Sequence, residues 1–140
     1  MQALLRSSLL TISFFIVVTA AAASPTEVLS ERARALYAVR CALCHGANGK
    51  GDGPAARGLM PRPAAFSRAA WAKAIDDRGI KEIIVKGGSA VGKSAAMPSN
   101  PHLGQQPQLL DHLVALLRSF APKSPPSASP SDSGEDPERS

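Results

Sequence analysis

The chain has 140 residues, and its 16 Lys and Arg against 11 Asp and Glu give a formal net charge of +5. This length favours one compact domain and argues against a multidomain protein. The two cysteines are separated by only two residues, and a disulfide across so short a loop would constrain the unfolded chain little, which argues against a disulfide-stapled scaffold.

The first 23 residues have the pattern of a secretory signal peptide. A single early cation, Arg6, precedes an apolar run through Val18, and the segment ends on four alanines at residues 20–23. The apolar run is short for a membrane span. We therefore predict a signal peptide over residues 1–23 and a periplasmic or otherwise exported protein. If the segment were retained, it would anchor the chain to the membrane, facing the periplasm.

Residues 122–140 have the composition of a disordered tail. Their sequence, PKSPPSASPSDSGEDPERS, contains no apolar periodicity and cannot bury enough surface to offset the entropy of ordering. Because acids outnumber bases in this tail, the positive excess lies in the segment between, residues 24–121, which we predict to be the folded domain. A basic surface on such a domain attracts an acidic partner or anionic lipid by long-range steering.

Helical periodicity dominates the folded segment. Apolar residues spaced by three and four predict an amphipathic helix over residues 28–40 and a strong helix from Pro107 to just before Pro122. A shorter helix is expected between Asp77, as its N-cap, and Gly87. A further turn or two is expected at residues 67–73.

The two connecting segments are predicted to be loops. Residues 46–66 and 88–106 are rich in Gly, Pro, Ala and Ser and show neither helical nor alternating periodicity. Long irregular segments bury apolar surface poorly in so small a domain. We therefore expect a large apolar cofactor to fill its centre.

The motif that carries the chemistry is Cys41-Ala42-Leu43-Cys44-His45. The pattern C-x-x-C-H is typical of c-type haem attachment. Two thiols about one helical turn apart can each add to one of two neighbouring vinyl groups at a haem edge, and the next imidazole then faces the iron. The motif therefore predicts that Cys41 and Cys44 hold a haem covalently and that His45 binds its iron.

Two other kinds of site also use closely spaced cysteines. A thiol-disulfide oxidoreductase also uses CxxC, but in a βαβ context, whereas here the motif ends a predicted helix and precedes a glycine-rich loop. A zinc site would need His102 or His112 to complete the tetrahedron from far along the chain. Both interpretations fit the surrounding sequence less well than haem attachment.

An electron-carrying haem iron needs a second axial ligand, for which the residues alone leave four candidates. Met97 lies in an irregular loop of small residues before Pro98, where close approach to a flat ring is possible. Met60, which precedes Pro61, is a rival within chain reach of His45. His102 and His112 complete the set, although His112 lies within the predicted last helix.

From Leu29 to Phe120 the sequence resembles the class I, single-domain cytochrome c family. The segments that carry the resemblance follow the family's order and spacing: ALYAVRCALCHG, GANGKGDGPAARGLMPRPAAF, IKEIIVKGG, GGSAVGKSAAMPSNP and LLDHLVALLRSF. The resemblance implies an all-α cytochrome c fold of three to five helices around one covalently bound haem c, with the first and last helices crossing.

The resemblance also implies roles for individual residues. Met97 becomes the sixth ligand, opposite His45, and the carbonyl of Pro54 accepts the Nδ1 proton of His45, which orients the imidazole. Trp71 or Arg62 holds a haem propionate.

These assignments imply electron transfer rather than catalysis, because both axial positions of the iron are closed. We expect redox partners with an acidic docking surface, steered by basic residues, and no nucleic-acid partner. The basic residues are Arg40, Lys50, Arg57, Lys86 and Lys93. The alternative is a haem subunit or small-ligand sensor of a larger complex, in which Met97 is displaceable.

Overall fold

The computed structural model describes residues 23–122, which form α-helices joined by loops with short 3₁₀ turns. The helices are α1 (Pro25–Leu36), α2 (Ala42–His45), α3 (Ala69–Ala74), α4 (Asp77–Lys86) and α5 (Pro107–Ser119), and a π-helical turn (Tyr37–Cys41) joins α1 to α2. No strand occurs in residues 23–122, and the predicted all-α class is confirmed.

The predicted signal peptide, apart from Ala23, and the predicted tail, apart from Pro122, lie outside the described residues. Both stay predictions. Within the described range, none of the helices has the length and apolar character needed to cross a membrane.

Helix α1 begins three residues earlier than its apolar pattern predicts, because its N-terminus is capped. The hydroxyl of Ser24 accepts a hydrogen bond from the Glu27 amide at 3.2 Å, and the Glu27 carboxylate accepts one from the Ser24 amide at 2.7 Å. This reciprocal capping box, with Pro25 at the first helical position, satisfies backbone donors that would otherwise lack a partner.

The π-helical turn keeps residues that are spaced by four on the same face of the helix. These residues recur every four positions: Leu29, Ala33, Tyr37, Cys41 and His45. Four residues of an ideal α-helix turn the chain by about 400°, so a spacing of four drifts by about 40° at each step. The wide turn, in which the Ala42 amide bonds to the Tyr37 carbonyl, takes up one extra residue and offsets this drift. The cysteines and histidine therefore stay on the side of the helix that faces inward.

Helices α4 and α5 lie close to their predicted positions. The N-cap of α4 is Asp76 rather than Asp77, since the Asp76 carboxylate accepts a hydrogen bond from the Gly79 amide at 2.7 Å. The predicted cap was wrong by one residue because either aspartate fits the pattern of a cap. Gly87 ends α4, and α5 runs from Pro107 as predicted.

The core forms where α1 packs against α5. Ala33 is fully buried there, which allows the two helices to approach closely, and α5 contributes the largest share of buried side chains: Leu109, Leu110, Leu113, Val114 and Leu117. A hydrogen bond of 3.0 Å between Ser30 Oγ and His112 Nδ1 also joins these helices. Ile80 and Ile84 extend the core from α4 toward a large cavity.

Candidate functional site

A cavity of about 730 Å³ lies between α2, α4, α5 and the two long loops. Four of the residues singled out in the sequence, Cys41, Cys44, His45 and Met97, lie in its wall. Most of the remaining wall is apolar and includes Phe66, Trp71, Ile75, Ile80, Ile83, Ile84, Leu113 and Leu117. The structure therefore brings the haem motif and the predicted sixth ligand to one apolar space.

The imidazole of His45 is fixed by two contacts. Its Nδ1–H donates a hydrogen bond to the Ala64 carbonyl at 3.0 Å, and its ring stacks on Phe66 with the centroids 4.4 Å apart. Because a carbonyl can only accept, Nδ1 carries the proton and Nε2 keeps its lone pair. Burial lowers the pKa of His45, so the ring is held in the neutral form that a metal ion binds.

The partner of His45 Nδ1 corrects the role assigned to Pro54. Pro54 is exposed and begins a 3₁₀ turn (Pro54–Ala56), whereas the chain returns to the imidazole ten residues later, at Ala64. The acceptor is a backbone carbonyl, which every residue has, so the side chains gave no reason to choose Ala64 over Pro54. His45 Nδ1 therefore bonds to a backbone carbonyl, as predicted, but the carbonyl is that of Ala64 and the prediction of Pro54 was wrong.

The two cysteines are half-buried and do not form a disulfide with each other. Cys41 ends the π-helical turn and Cys44 lies in α2. Burial raises the pKa of the Cys41 thiol to about 11, whereas thiol-disulfide enzymes depend on a lowered thiol pKa. The βαβ context of such enzymes is also missing from residues 23–122.

The loop after the motif is tied back onto α2. The Gly51 amide donates to the His45 carbonyl at 2.8 Å, and the Gly53 amide donates to the Cys44 carbonyl at 3.1 Å. Gly53 lies so close to α2 that a Cβ atom there would be 2.3 Å from the Leu43 carbonyl oxygen. These bonds satisfy carbonyls at the C-terminus of α2 and hold the histidine end of the motif in place.

The Met97 loop is fixed at both ends. The Gly88 amide donates to the Met97 carbonyl at 2.9 Å, and a Cβ atom on Gly88 would lie 2.0 Å from the Ser94 carbonyl oxygen. The buried side chain of Asn100 donates from Nδ2 to the carbonyls of Ile84, at 3.1 Å, and Pro98, at 3.3 Å. The loop is thereby attached to the C-terminal end of α4, with Met97 in the cavity wall.

The other candidates for the sixth ligand lie elsewhere. Met60 is 85% exposed, His102 is exposed in a 3₁₀ turn, and His112 lies between α1 and α5. None of the three lines the cavity that His45 lines. Across residues 23–122, no group of three or more His, Cys, Asp or Glu side chains is arranged to hold a metal ion, so the zinc interpretation has no support there.

The charged residues in the cavity wall are all cations. They are Arg40, Arg62 and Lys93, and no acidic side chain of the described residues joins them. Trp71 also lies in the wall, so both residues predicted to hold a propionate, Trp71 and Arg62, are in reach of this space. A cavity with cationic groups and low-dielectric walls favours a ligand with carboxylate groups.

Three residues of the site had been given no role of their own from the sequence. Ala64 contributes only its carbonyl, and Phe66 contacts His45 from the end of a loop without periodicity. Asn100 stands before Pro101, and the dipeptide Asn-Pro is a known turn signal that would have drawn attention to it.

These residues fit a covalently attached haem. The cavity is of the size typical for bound cofactors, its wall is apolar, and its polar groups are few. Two thiols, a neutral imidazole and a thioether are the donors that c-type haem attachment and axial ligation use. Cys41 and Cys44 would form the thioether links, and His45 would bind iron through Nε2.

Comparison with known proteins supports the same conclusion. The family model described as Cytochrome c matches residues 30–121, which is most of the described part of the chain. No curated protein sequence matches the chain. The chain therefore belongs to the cytochrome c family and is an electron-transfer protein that binds an iron-containing haem c covalently.

Proposed function

We propose that this protein is an exported, single-haem electron carrier whose iron is bound by His45 and Met97. The observation that carries the proposal is that one cavity wall contains His45, Met97 and both cysteines. The exposure of Met60, at 85%, favours Met97 as the methionine ligand.

The bound haem supplies an iron that gains and loses one electron, and the chain supplies the surroundings of that iron. The hydrogen bond from His45 Nδ1–H to the Ala64 carbonyl raises the basicity of Nε2 and fixes the plane of the ring. Pairing of histidine with methionine raises the reduction potential. Apolar side chains such as Ile80 and Leu113 exclude water, which favours the less charged, reduced state.

The proposed role is that of a carrier rather than an enzyme. His45 and Met97 would both bind the iron, which would leave no position on it for a substrate. The chemistry that the haem would supply is then electron exchange with a partner, without binding of a substrate to the iron. This arrangement needs a partner protein that docks beside the cavity.

The partner that we propose has an acidic docking surface. Arg40, Arg62 and Lys93 lie at the cavity, whereas Lys86, one of the five basic residues first assigned to docking, pairs with Glu82 at 2.7 Å. We therefore assign the main steering role to the cations at the cavity. Electron-transfer rates should fall as ionic strength rises, because exposed charges are screened beyond about 10 Å at 0.1 M salt.

The proposed location is outside the cytoplasm. Residues 1–23 carry the signal pattern, and covalent attachment keeps the cofactor on a small domain in a dilute compartment. Fractionation of the producing cells and the N-terminal sequence of the mature protein test this part. A mature chain that retains the first 23 residues in the membrane fraction would favour the anchored form.

The ligand assignment is tested with the variants Met97→Ala and Met60→Ala, expressed in a host with haem-attachment machinery. Haem staining after denaturing electrophoresis should be positive for the natural sequence and both variants. The ferric absorption band from sulfur-to-iron charge transfer should disappear in M97A and persist in M60A. Reduced M97A should bind carbon monoxide rapidly, because its sixth position is open.

Two results would contradict the assignment. Persistence of the charge-transfer band in M97A would show that Met97 is not the ligand. Rapid carbon monoxide binding by the natural sequence would favour the alternative, a sensor or a haem subunit of a larger complex.

A further inference from the structure

Arg118, on α5, makes three side-chain hydrogen bonds to residues that lie more than forty positions earlier in the chain. Its Nη1 donates to the Ala72 carbonyl at 2.7 Å, its Nη2 to the Ile75 carbonyl at 2.7 Å, and its Nε to the Asp77 carboxylate at 2.9 Å. Only 27% of the side chain is exposed. All three nitrogens of one guanidinium are therefore engaged, which uses the fork geometry that lysine lacks.

The partners of Arg118 lie where α3 ends and α4 begins. Ala72 is in the last turn of α3, Ile75 is the first residue after α3, and Asp77 is the first residue of α4. The last carbonyls of a helix have no intrahelical donor, and a cation placed there also interacts favourably with the helix dipole. Arg118 thus caps the C-terminus of α3 and ties it to α4.

Helix α3 depends on contacts with other elements because it is short, lacks a side-chain N-cap and has no buried residue. It has six residues, none of them fully buried, and its N-cap, Arg68, makes no side-chain capping bond. Helices this short are not stable in isolation. The position of α3 therefore depends on its contacts with the rest of the fold, among them the hydrogen bonds from Arg118.

Helix α3 contributes two residues to the cavity wall, Ala74 and the much larger Trp71. The guanidinium of Arg118 lies 5.4 Å from the centroid of the Trp71 ring, within the range of a cation–π contact. On another side, Phe66 packs against Trp71 with the ring centroids 4.8 Å apart. Phe66 in turn stacks on His45. Arg118 is thus connected to the iron-binding histidine through two aromatic rings.

We propose that Arg118 is a positioning residue for the haem site. It holds α3 against α5 and α4, so that Trp71 closes one part of the cavity wall. This role deepens the proposed function and rests on the binding of haem in this cavity, but it does not depend on which residue is the sixth ligand. Without Arg118, the Trp71 wall loosens and water reaches the haem. The more polar surroundings then favour the oxidised, more highly charged iron and lower the reduction potential.

The experiment compares Arg118→Lys, Arg118→Gln and Asp77→Asn with the natural protein, all carrying haem. Lysine keeps the positive charge but cannot reproduce the three-way hydrogen bonding, which separates positioning from charge alone. The matched control is Lys81→Gln, because Lys81 forms an ion pair between α4 and α5, with Asp111, and is not among the residues of the cavity wall.

Two measurements report on the part of the cavity wall that Trp71 forms: the tryptophan emission and the oxidised-to-reduced ratio of the haem. Trp71 is the only tryptophan of the chain, so the tryptophan emission, which a nearby haem quenches, reports on this one side chain. R118K and R118Q should both show increased emission and greater quenching by added acrylamide. Their oxidised-to-reduced ratio at a fixed solution potential should rise above that of the natural protein, because water at the haem favours the more highly charged oxidised iron.

The variants D77N and K81Q separate the role of Arg118 from a general loss of an ion pair. D77N keeps the two carbonyl contacts and should show a smaller change in both measurements, while K81Q should match the natural protein. If R118Q does not incorporate haem, R118K and D77N still decide the question. The proposal is overturned if R118K matches the natural protein in emission and potential, or if R118Q changes the potential but not the emission. A positive haem stain in these samples separates such a failure from a failure of the proposed function.

Discussion

The rings of His45 and Phe66 stack with their centroids 4.4 Å apart and their planes inclined by 19°. Phe66 is buried and also packs against Trp71 and Tyr37, so it joins the imidazole of His45 to the aromatic side of the core. The orientation of His45 thus depends on a ring contact as well as on its hydrogen bond to Ala64.

Replacing Phe66 with leucine should therefore change both stability and the iron site. We expect the free energy of unfolding to fall by about 1 kcal/mol, the value of an aromatic pair beyond its buried area. The reduction potential should shift as well, because the imidazole loses a fixed neighbour. Denaturant unfolding and a redox titration of the haem-loaded protein measure the two effects.

Phe120→Leu is the matched control for this prediction. Phe120 packs against Tyr37, with ring centroids 5.1 Å apart, and does not line the cavity. It should lose similar stability with an unchanged potential. Equal shifts of potential in the two variants would show that the stacking on His45 has no specific effect.

The Met97 loop should be sensitive to Asn100. Asn100→Ala removes the donor to the Pro98 carbonyl and one donor to Ile84, so we expect a loss of about 1–3 kcal/mol of unfolding free energy. The ferric charge-transfer band of methionine ligation should weaken in N100A, as measured by absorption spectroscopy. Its exposed neighbour provides the control, and Ser99→Ala should leave both quantities unchanged. An intact band in N100A would mean that Met97 is held without this contact.

Local signals predicted the helices because each depends on a few neighbouring residues. The apolar spacing and Pro107 were sufficient to predict α5. The contiguous motif singled out Cys41, Cys44 and His45, which line one cavity in the structure. The start of α1 was missed because its capping box, at Ser24, lies before the first apolar residue of the pattern.

Contacts between distant segments could not be predicted in the same way. The acceptor for His45 is a backbone carbonyl, and every residue of the loop offers one, so Pro54 and Ala64 differ only in where the folded chain passes. Arg118 follows the pattern of an ordinary solvent-facing arginine on α5, and its partners lie more than forty residues away. Such contacts exist only after the helices have packed.

Tyr37 should make stability depend on pH in the alkaline range. Its hydroxyl donates to the Gly46 carbonyl at 2.6 Å, and burial raises the pKa of its phenol to about 12, above the value of about 10 expected in the unfolded chain. The folded state binds the proton more tightly, so this contribution is complete below about pH 10 and is lost as the pH rises toward 12.

The variant Tyr37→Phe tests this sign. At neutral pH, Y37F should be less stable than the natural protein by about 1 kcal/mol, because the hydrogen bond to Gly46 is lost. Above about pH 10 the difference should shrink, since only the natural protein loses stability through this phenol. Urea unfolding of both proteins at several pH values measures the difference. A difference that stays constant through this range would contradict the raised pKa.

Gly53 and Gly58 offer a comparison between two reasons for glycine in the loop after the haem motif. Gly53 has an ordinary φ of −59°, but a Cβ atom there would lie 2.3 Å from the Leu43 carbonyl oxygen and 2.5 Å from that of Ala42. Gly58 has a φ of +79° and no atom within 4 Å of such a Cβ. Crowding is thus the constraint at Gly53, and backbone conformation is the constraint at Gly58.

Gly53→Ala should consequently push the loop away from α2 and break the bond from the Gly53 amide to the Cys44 carbonyl. We expect a loss of about 3 kcal/mol of unfolding free energy, at the upper end for overpacking, and a lower yield of haem attachment on a haem-stained gel. Gly58→Ala should lose about 1–2 kcal/mol through left-handed strain and attach haem normally. If G53A attached haem as well as G58A does, the close approach of this loop to α2 would not be needed to present the cysteines, and the bonds from Gly51 and Gly53 would stabilise the fold without shaping the site.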